Sequence, residues 1–211
     1  MKKSLLLSSA FVLLLASQGN ANPRNPAPQP GANTTAEDKT APSYDMKPQA
    51  LQDLQDMHKR MVQLATAIPA DKYAWRPETG TRSVSEVFLH VTAANHNIPS
   101  LMTGMAPDSA FKADGFETST TDKAKIIDQL DKSFAYAEAA IEAMTNADFA
   151  RPEKKLGPDA NSGDVIYLLV VHNHEHFGQT IAYARMNGIT PPWTEQAQRK
   201  AKAAKDGAAP K

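Results

Sequence analysis

His172 and His176 stand four residues apart in the run Val170-Val171-His172-Asn173-His174-Glu175-His176-Phe177-Gly178-Gln179. On an α-helix that spacing separates two side chains by about 40° around the axis, so both imidazoles leave one face, one turn apart. Two imidazoles so placed can share one divalent cation; zinc is the first expectation, and nickel, iron and copper also take imidazole. Val165, Leu168 and Leu169 precede the pair on the same stripe, and Ile181 and Tyr183 continue near it. The pair is therefore expected to point into a core, where a polar ring needs a partner. A metal is one such partner. A backbone carbonyl or a water is the other, and the pair alone fits both.

His90, in Val87-Phe88-Leu89-His90-Val91, lies on or beside a second apolar stripe. If its helix faces that of His172 and His176, the three imidazoles converge. Three protein ligands leave a coordination position open, which is the arrangement of catalytic rather than structural sites. His174 is turned about 200° from His172 and is expected to face solvent. His96 is turned well away from His90, and His58 lies at the edge of its helix's stripe as a fourth candidate. His174-Glu175-His176 is not a zincin helix, because Gly178 stands where the second His would be. Gln179, three residues past His176, is placed to hold a ligand ring or a bound water. Glu175 is the candidate catalytic proton acceptor, and a surface charge is its plainer reading. Asn95 and Asn173 follow as further supports. Tyr73 and Trp75 can wall a pocket or pack beneath a loop.

The elements that would carry these residues are helical. The first runs from about Pro48 to Ile68, with Leu51, Leu54, Met57, Met61, Leu64 and Ile68 at helical spacing and Pro69 ending it. The second begins at Ser83 with Glu86 three residues on, a capping-box pattern, and carries Val84, Val87, Phe88, Val91, Ala94 and Ile98. The third opens near Thr121 and runs through Ile126, Leu130, Phe134 and Ile141 to about Met144. The fourth opens near Ser162 and closes at Gly188, ahead of Pro191-Pro192. No strand alternation competes with them. The chain is read as all-α, a four-helix bundle of antiparallel type. Segments 104–120 and 146–161 are long for bundle connections and are expected to cover one end of the bundle or cross it.

The ends of the chain read differently. Lys2 and Lys3, then the apolar run from Leu5 to Ala16, then Gly19-Asn20-Ala21, form a secretory signal pattern over residues 1–21. The run is short for a membrane anchor, so no stable membrane insertion is expected after cleavage, and the destination is periplasmic or extracellular. Residues 22–45 hold Pro23, Pro26, Pro28, Pro30 and Pro42 and are expected to be a disordered linker. The bundle spans 46–194. Residues 195–211, with Arg199, Lys200, Lys202 and Lys205, are read as a solvated, disordered basic tail.

Composition narrows the chemistry. There is no cysteine, which excludes disulfides, a thiolate nucleophile and thiolate metal ligands. The whole chain carries 23 basic and 23 acidic residues; loss of residues 1–21 removes two lysines and no acid, leaving 21 against 23. That balance is no footprint for nucleic acid.

The stretch from Ile68-Pro69-Ala70-Asp71-Lys72-Tyr73-Ala74-Trp75-Arg76-Pro77 into Arg82-Ser83-Val84-Ser85-Glu86-Val87-Phe88-Leu89-His90-Val91 resembles the first half of the DinB-like superfamily. His172 to Gln179, followed by Tyr183-Ala184-Arg185-Met186-Asn187-Gly188-Ile189-Thr190-Pro191-Pro192, resembles its last helix and the turn after it. The resemblance implies an up-down-down-up bundle, often a homodimer. It also implies a divalent metal held by His90, His172 and His176. Relatives include bacillithiol transferases and mycothiol-dependent isomerases, in which metal activates a thiol. The expectation is an exported metal-dependent enzyme, a hydrolase or a thiol or group transferase, acting on a small molecule whose identity the sequence does not give. The competing expectation is a non-catalytic binding or stress-related helical module.

Overall fold

The computed structural model describes residues 45–102, 105 and 108–207. The signal segment expected over 1–21, and the linker over 22–45 save Asp45, lie outside the described residues. The helices are α1 (Met46–Ala67), α2 (Val84–Asn97), α3 (Lys123–Glu142), the single turn α4 (Asn146–Phe149), α5 (Ser162–Met186) and α6 (Pro192–Gly207). Short 3₁₀ turns occupy Ala70–Lys72, Pro99–Leu101 and Phe116–Thr118.

The ends of these helices follow from the sequence chemistry. Asp45 caps α1 by accepting from the Lys47 N–H. Ser83 and Glu86 form the expected capping box on α2, the hydroxyl accepting at 3.3 Å and the carboxylate at 2.8 Å. Asp122 is the N-cap of α3, one residue past the expected start at Thr121, and accepts from the Lys125 N–H. Asn161 and Asp164 make a second capping box at the start of α5. At the far end of α5, Gly188 takes φ +74°, and the N–H groups of Gly188 and Ile189 return to the carbonyls of Arg185 and Ala184. This is a Schellman closure, and the left-handed residue in it is the one without a Cβ.

The packing partners give the topology. The Lys47 ammonium, at the start of α1, donates to the carbonyls of Glu142 and Met144 at the end of α3. Lys123, at the start of α3, donates to the carbonyls of Thr66 and Ile68 at the end of α1. α1 and α3 are therefore antiparallel. His90 meets His176 while Asn95 meets Asn173, so α2 and α5 are antiparallel too. Met46 to Asp53 line a cavity with Ile166 to Val170, at the starts of α1 and α5, and further along the same two helices Arg60 and Phe177 both meet Trp193, so α1 and α5 are parallel. Since α3 opposes α1 and α2 opposes α5, α2 and α3 run parallel to each other. The bundle is up-down-down-up, with α1 and α2 each packed between α3 and α5.

The core lies among these four helices. Leu54, Met61 and Leu64 of α1, Val87, Phe88 and Leu89 of α2, Ile126, Leu130 and Phe134 of α3, and Val165, Ile166 and Leu169 of α5 are fully buried. Each large apolar side chain so buried contributes about 1.5–3 kcal/mol. α2 is buried on more than the expected stripe: Leu89, Thr92 and Ala93 are covered as well. The reason is the segment between α2 and α3, whose turn Phe116–Thr118 packs directly on α2.

Two expectations are corrected. Leu168, assigned to the buried stripe of α5, is 39% exposed beside Tyr167 and Val171. It sits on the solvent-facing edge of α5 with its exposed neighbours Tyr167 and Val171. Most of the segment read as a solvated tail is the helix α6, although it contributes no buried residue. Trp193 anchors its start against Phe177, with the Arg60 guanidinium 5.7 Å above the indole.

Candidate metal centre

α2 and α5 cross with their polar positions facing. His90 comes from the middle of α2, and His172 and His176 come from consecutive turns of α5. The three rings converge, with one ligand nitrogen from each lying within 4.8 Å of the other two. His90 Nε2 and His172 Nε2 are 3.1 Å apart. The centroid of His90 is 4.6 Å from that of His176. His176 is 8% exposed, and the other two are half-buried.

The outward-facing nitrogens explain why the rings turn this way. His90 Nδ1 donates to Glu117 Oε1 at 2.6 Å, and Glu117 Oε2 accepts from Arg82 Nε at 2.8 Å. His176 Nδ1 donates to Gln179 Oε1 at 2.8 Å, and the Gln179 amide donates onward to the Tyr183 hydroxyl at 3.0 Å. Tyr183 packs edge-on against Trp75. With their protons on Nδ1, His90 and His176 both present an Nε2 lone pair to the space between the rings. That space gathers electron pairs, which is the donor set a divalent cation needs. Among the described residues, the buried His172 Nδ1 has no hydrogen-bond partner, and neither has the side-chain carbonyl oxygen of Asn173.

The electrostatics favour neutral imidazole. Burial pushes His172 down to about 3, and the neighbouring His176 and His90 push the same way. His176 is lowered chiefly by burial, against the opposing effect of its bond to Gln179. Burial on its own would raise Glu117, but the hydrogen bonds from Arg82 and His90 outweigh it and hold the carboxyl below its ordinary value. His172 and His176 are thus unprotonated, and Glu117 is ionised, at neutral pH.

The remaining sequence candidates fall as follows. Gln179 bonds the His176 ring at 2.8 Å. Glu175 is exposed, on the solvent side of α5, and reaches His176 through its charge. The carboxylate bonded to the triad is Glu117, which sequence reasoning missed. Nothing in periodicity marks a residue in a connection, 27 positions from its partner. His174 is exposed. His58 lies between Asp131 and Glu138, each 2.8 Å away, and stacks on Phe134. His96 stacks on Phe111 in the cavity beneath the α2–α3 connection. Neither ring reaches the triad. Asn95 and Asn173 serve each other: the Asn173 amide donates to Asn95 at 2.9 Å, and Asn95 donates to Ser133 at 3.2 Å. All three are fully buried, so one polar string ties α5, α2 and α3.

The DinB superfamily profile matches residues 53–180, which include all three histidines and Glu117. The chain belongs to the DinB superfamily. A solved DinB-like protein from Bacillus cereus ATCC 10987 superposes with a TM-score of 0.58, at 18% identity, over 68% of this chain and 93% of that one. At that identity the likeness shows the DinB fold and nothing of the reaction. No curated protein matches the chain. A DinB bundle with a histidine cluster able to hold a metal is therefore what sequence, geometry and comparison share.

Proposed function

We propose that this protein is an exported, metal-dependent enzyme, with one divalent cation, zinc first among the choices, held by His90, His172 and His176. The observation that carries the reading is the pair of outward hydrogen bonds from His90 and His176. They commit both rings to the tautomer that turns Nε2 inward. A divalent cation would share these lone pairs, replacing the 3.1 Å contact between His172 Nε2 and His90 Nε2.

A cation bound there would polarise a carbonyl, or make a nucleophile of water or a thiol at neutral pH. The chain's own residues have simpler tasks. His90, His172 and His176 would supply three donors, one short of a four-coordinate set. Gln179 and Glu117 hold rings in place, and Trp75 and Tyr183 shut water out behind Gln179. Hydrolysis suits an exported protein, since water is always at hand; thiol or group transfer is the other reaction of this class. The basic, apolar and small-residue succession over residues 1–21 supports export.

Metal analysis of untagged protein tests the reading. One equivalent of a divalent metal is expected, lost in His90→Ala, His172→Ala and His176→Ala and kept in His174→Ala. Equal metal in all four variants would refute it. In a cobalt-substituted sample, azide or a small thiol should change the visible spectrum by entering the open position. An unchanged spectrum, together with unfolding on metal removal, would make the protein the non-catalytic module instead. Export predicts a mature N-terminus near Asn22 in protein recovered from the envelope; intact Met1 there would contradict it.

A further inference from the structure

We infer that Glu117 and Arg82 are positioning residues for the centre: Arg82 fixes the Glu117 carboxylate, and Glu117 fixes the tautomer and aim of His90. Its consequence for affinity rests on the metal reading above; its consequence for His90 does not.

The three rings are supported unequally. His90 is backed by an anion at 2.6 Å, itself held by a guanidinium at 2.8 Å. His176 is backed by a neutral amide. His172 Nδ1 has no partner among the described residues. A carboxylate accepting from the far nitrogen of an imidazole makes the near nitrogen a stronger donor, and an amide does so less. His90 is therefore the strongest donor of the three and the one whose direction is best fixed. It is also the one ring not on α5, so its aim decides whether the set closes across two helices.

Arg82 has a separate task. The Arg82 fork reaches both carboxylate oxygens, Nε to Oε2 at 2.8 Å and Nη2 to Oε1 at 3.5 Å, and so fixes the plane in which Glu117 Oε1 meets His90. Arg82 immediately precedes the α2 cap, and Glu117 lies in the turn Phe116–Thr118. The pair therefore also fastens that turn to the start of α2.

The test has two arms on the full chain. In chelated, metal-free protein, ¹⁵N NMR of the imidazoles should show His90 protonated at Nδ1. Glu117→Ala should move it toward the Nε2-protonated form that free imidazole side chains favour. In cobalt titrations against a competing chelator, Glu117→Ala should weaken binding about 10–100-fold. Glu117→Gln, which keeps an acceptor and loses the charge, should fall between it and the parent. Arg82→Ala should weaken binding in the same direction, and Asp128→Asn, whose Lys132 pair lies on the exposed side of α3, should leave it unchanged. An unmoved His90 tautomer in a folded Glu117→Ala protein overturns the inference. So does undiminished cobalt affinity in that variant. If the parent binds no cobalt, the metal reading fails and the NMR arm alone decides. If Glu117→Ala does not fold, Glu117→Gln and Arg82→Ala are read instead, and parental behaviour in both overturns the proposal.

Discussion

The buried string Asn173–Asn95–Ser133 offers a sharp test of how α2 is held against α5. Asn95 makes two side-chain hydrogen bonds, at 2.9 and 3.2 Å, and is wholly enclosed. Replacing it with Leu removes both, each worth about 1 kcal/mol net, and strands polar groups of Asn173 and Ser133 whose desolvation costs about 1–3 kcal/mol. The Asn173 amide keeps its bond to the Leu169 carbonyl and Ser133 its bond to Leu130, so the penalty falls in the lower part of that range. Asn95→Leu should therefore destabilise the protein by about 2–4 kcal/mol. For a domain of this size that is a fall in Tm of about 5–15 °C. Asn173→Leu should cost a similar amount. The double variant replaces both partners with apolar groups of similar shape, so it should be more stable than the sum of the two losses by about 1–3 kcal/mol. Urea unfolding of the four proteins closes the cycle. Strict additivity would refute the account, because it would mean that the two amides do not depend on each other.

Two further outcomes follow from features of the fold. Lys47→Ala and Lys123→Ala each free two carbonyls at a helix C-terminus, and each should lower stability by about 1 kcal/mol in urea unfolding; no loss in either would deny these lysines a capping role. Acid should destabilise metal-free protein well above the carboxylate range. His172, His176 and His96 are all lowered in the fold, so the unfolded chain binds more protons below pH 6.5, and stability must fall as pH falls through that value. Glu117 and Glu86, lowered as well, add their loss only below about 4.5. Between those two values the slope belongs to histidines. His172→Gln should flatten it in a pH series of urea midpoints, and an unaltered slope would exclude His172 as a contributor.

The bundle and its histidines were legible because helices advertise themselves locally. A repeat near 3.6 residues fixes which side chains share a face, so His172 and His176 could be paired and His174 set aside without knowing the neighbours. The caps at Ser83 and Gly188 are equally local. What was not legible depends on distant chain. Leu168 sits at helical spacing with Leu169 and His172, yet which side of a broad apolar stripe stays open depends on where α1 and α2 lie. Asn95 and Asn173 were noticed separately; that each is the other's partner depends on the register of α2 against α5. Glu117 gave no signal, since a carboxylate in a connection looks like any solvated charge. α6 was read as a tail because its stripe is alanine, too small to mark a buried face, and it has none.

The parallel pairing of α2 and α3 has a geometric consequence. Two parallel neighbours cannot be joined by a hairpin, so the chain leaving the bottom of α2 must climb back to the top before α3 can begin. α2 is about 21 Å long, a climb of at least six or seven extended residues. The ascent leaves footprints in order: Asp108 and Phe111 beside His96, then Glu117 beside His90 and Arg82. It rises along one flank of the helix that carries His90, so the route that the fold demands also delivers a carboxylate to the back of that ring. The supporting shell of the centre is thus borrowed from plumbing. The same routing means that one ligand's stiffness is only as good as the seating of a loop, and hydrogen exchange in residues 108–119 should slow when the centre is loaded.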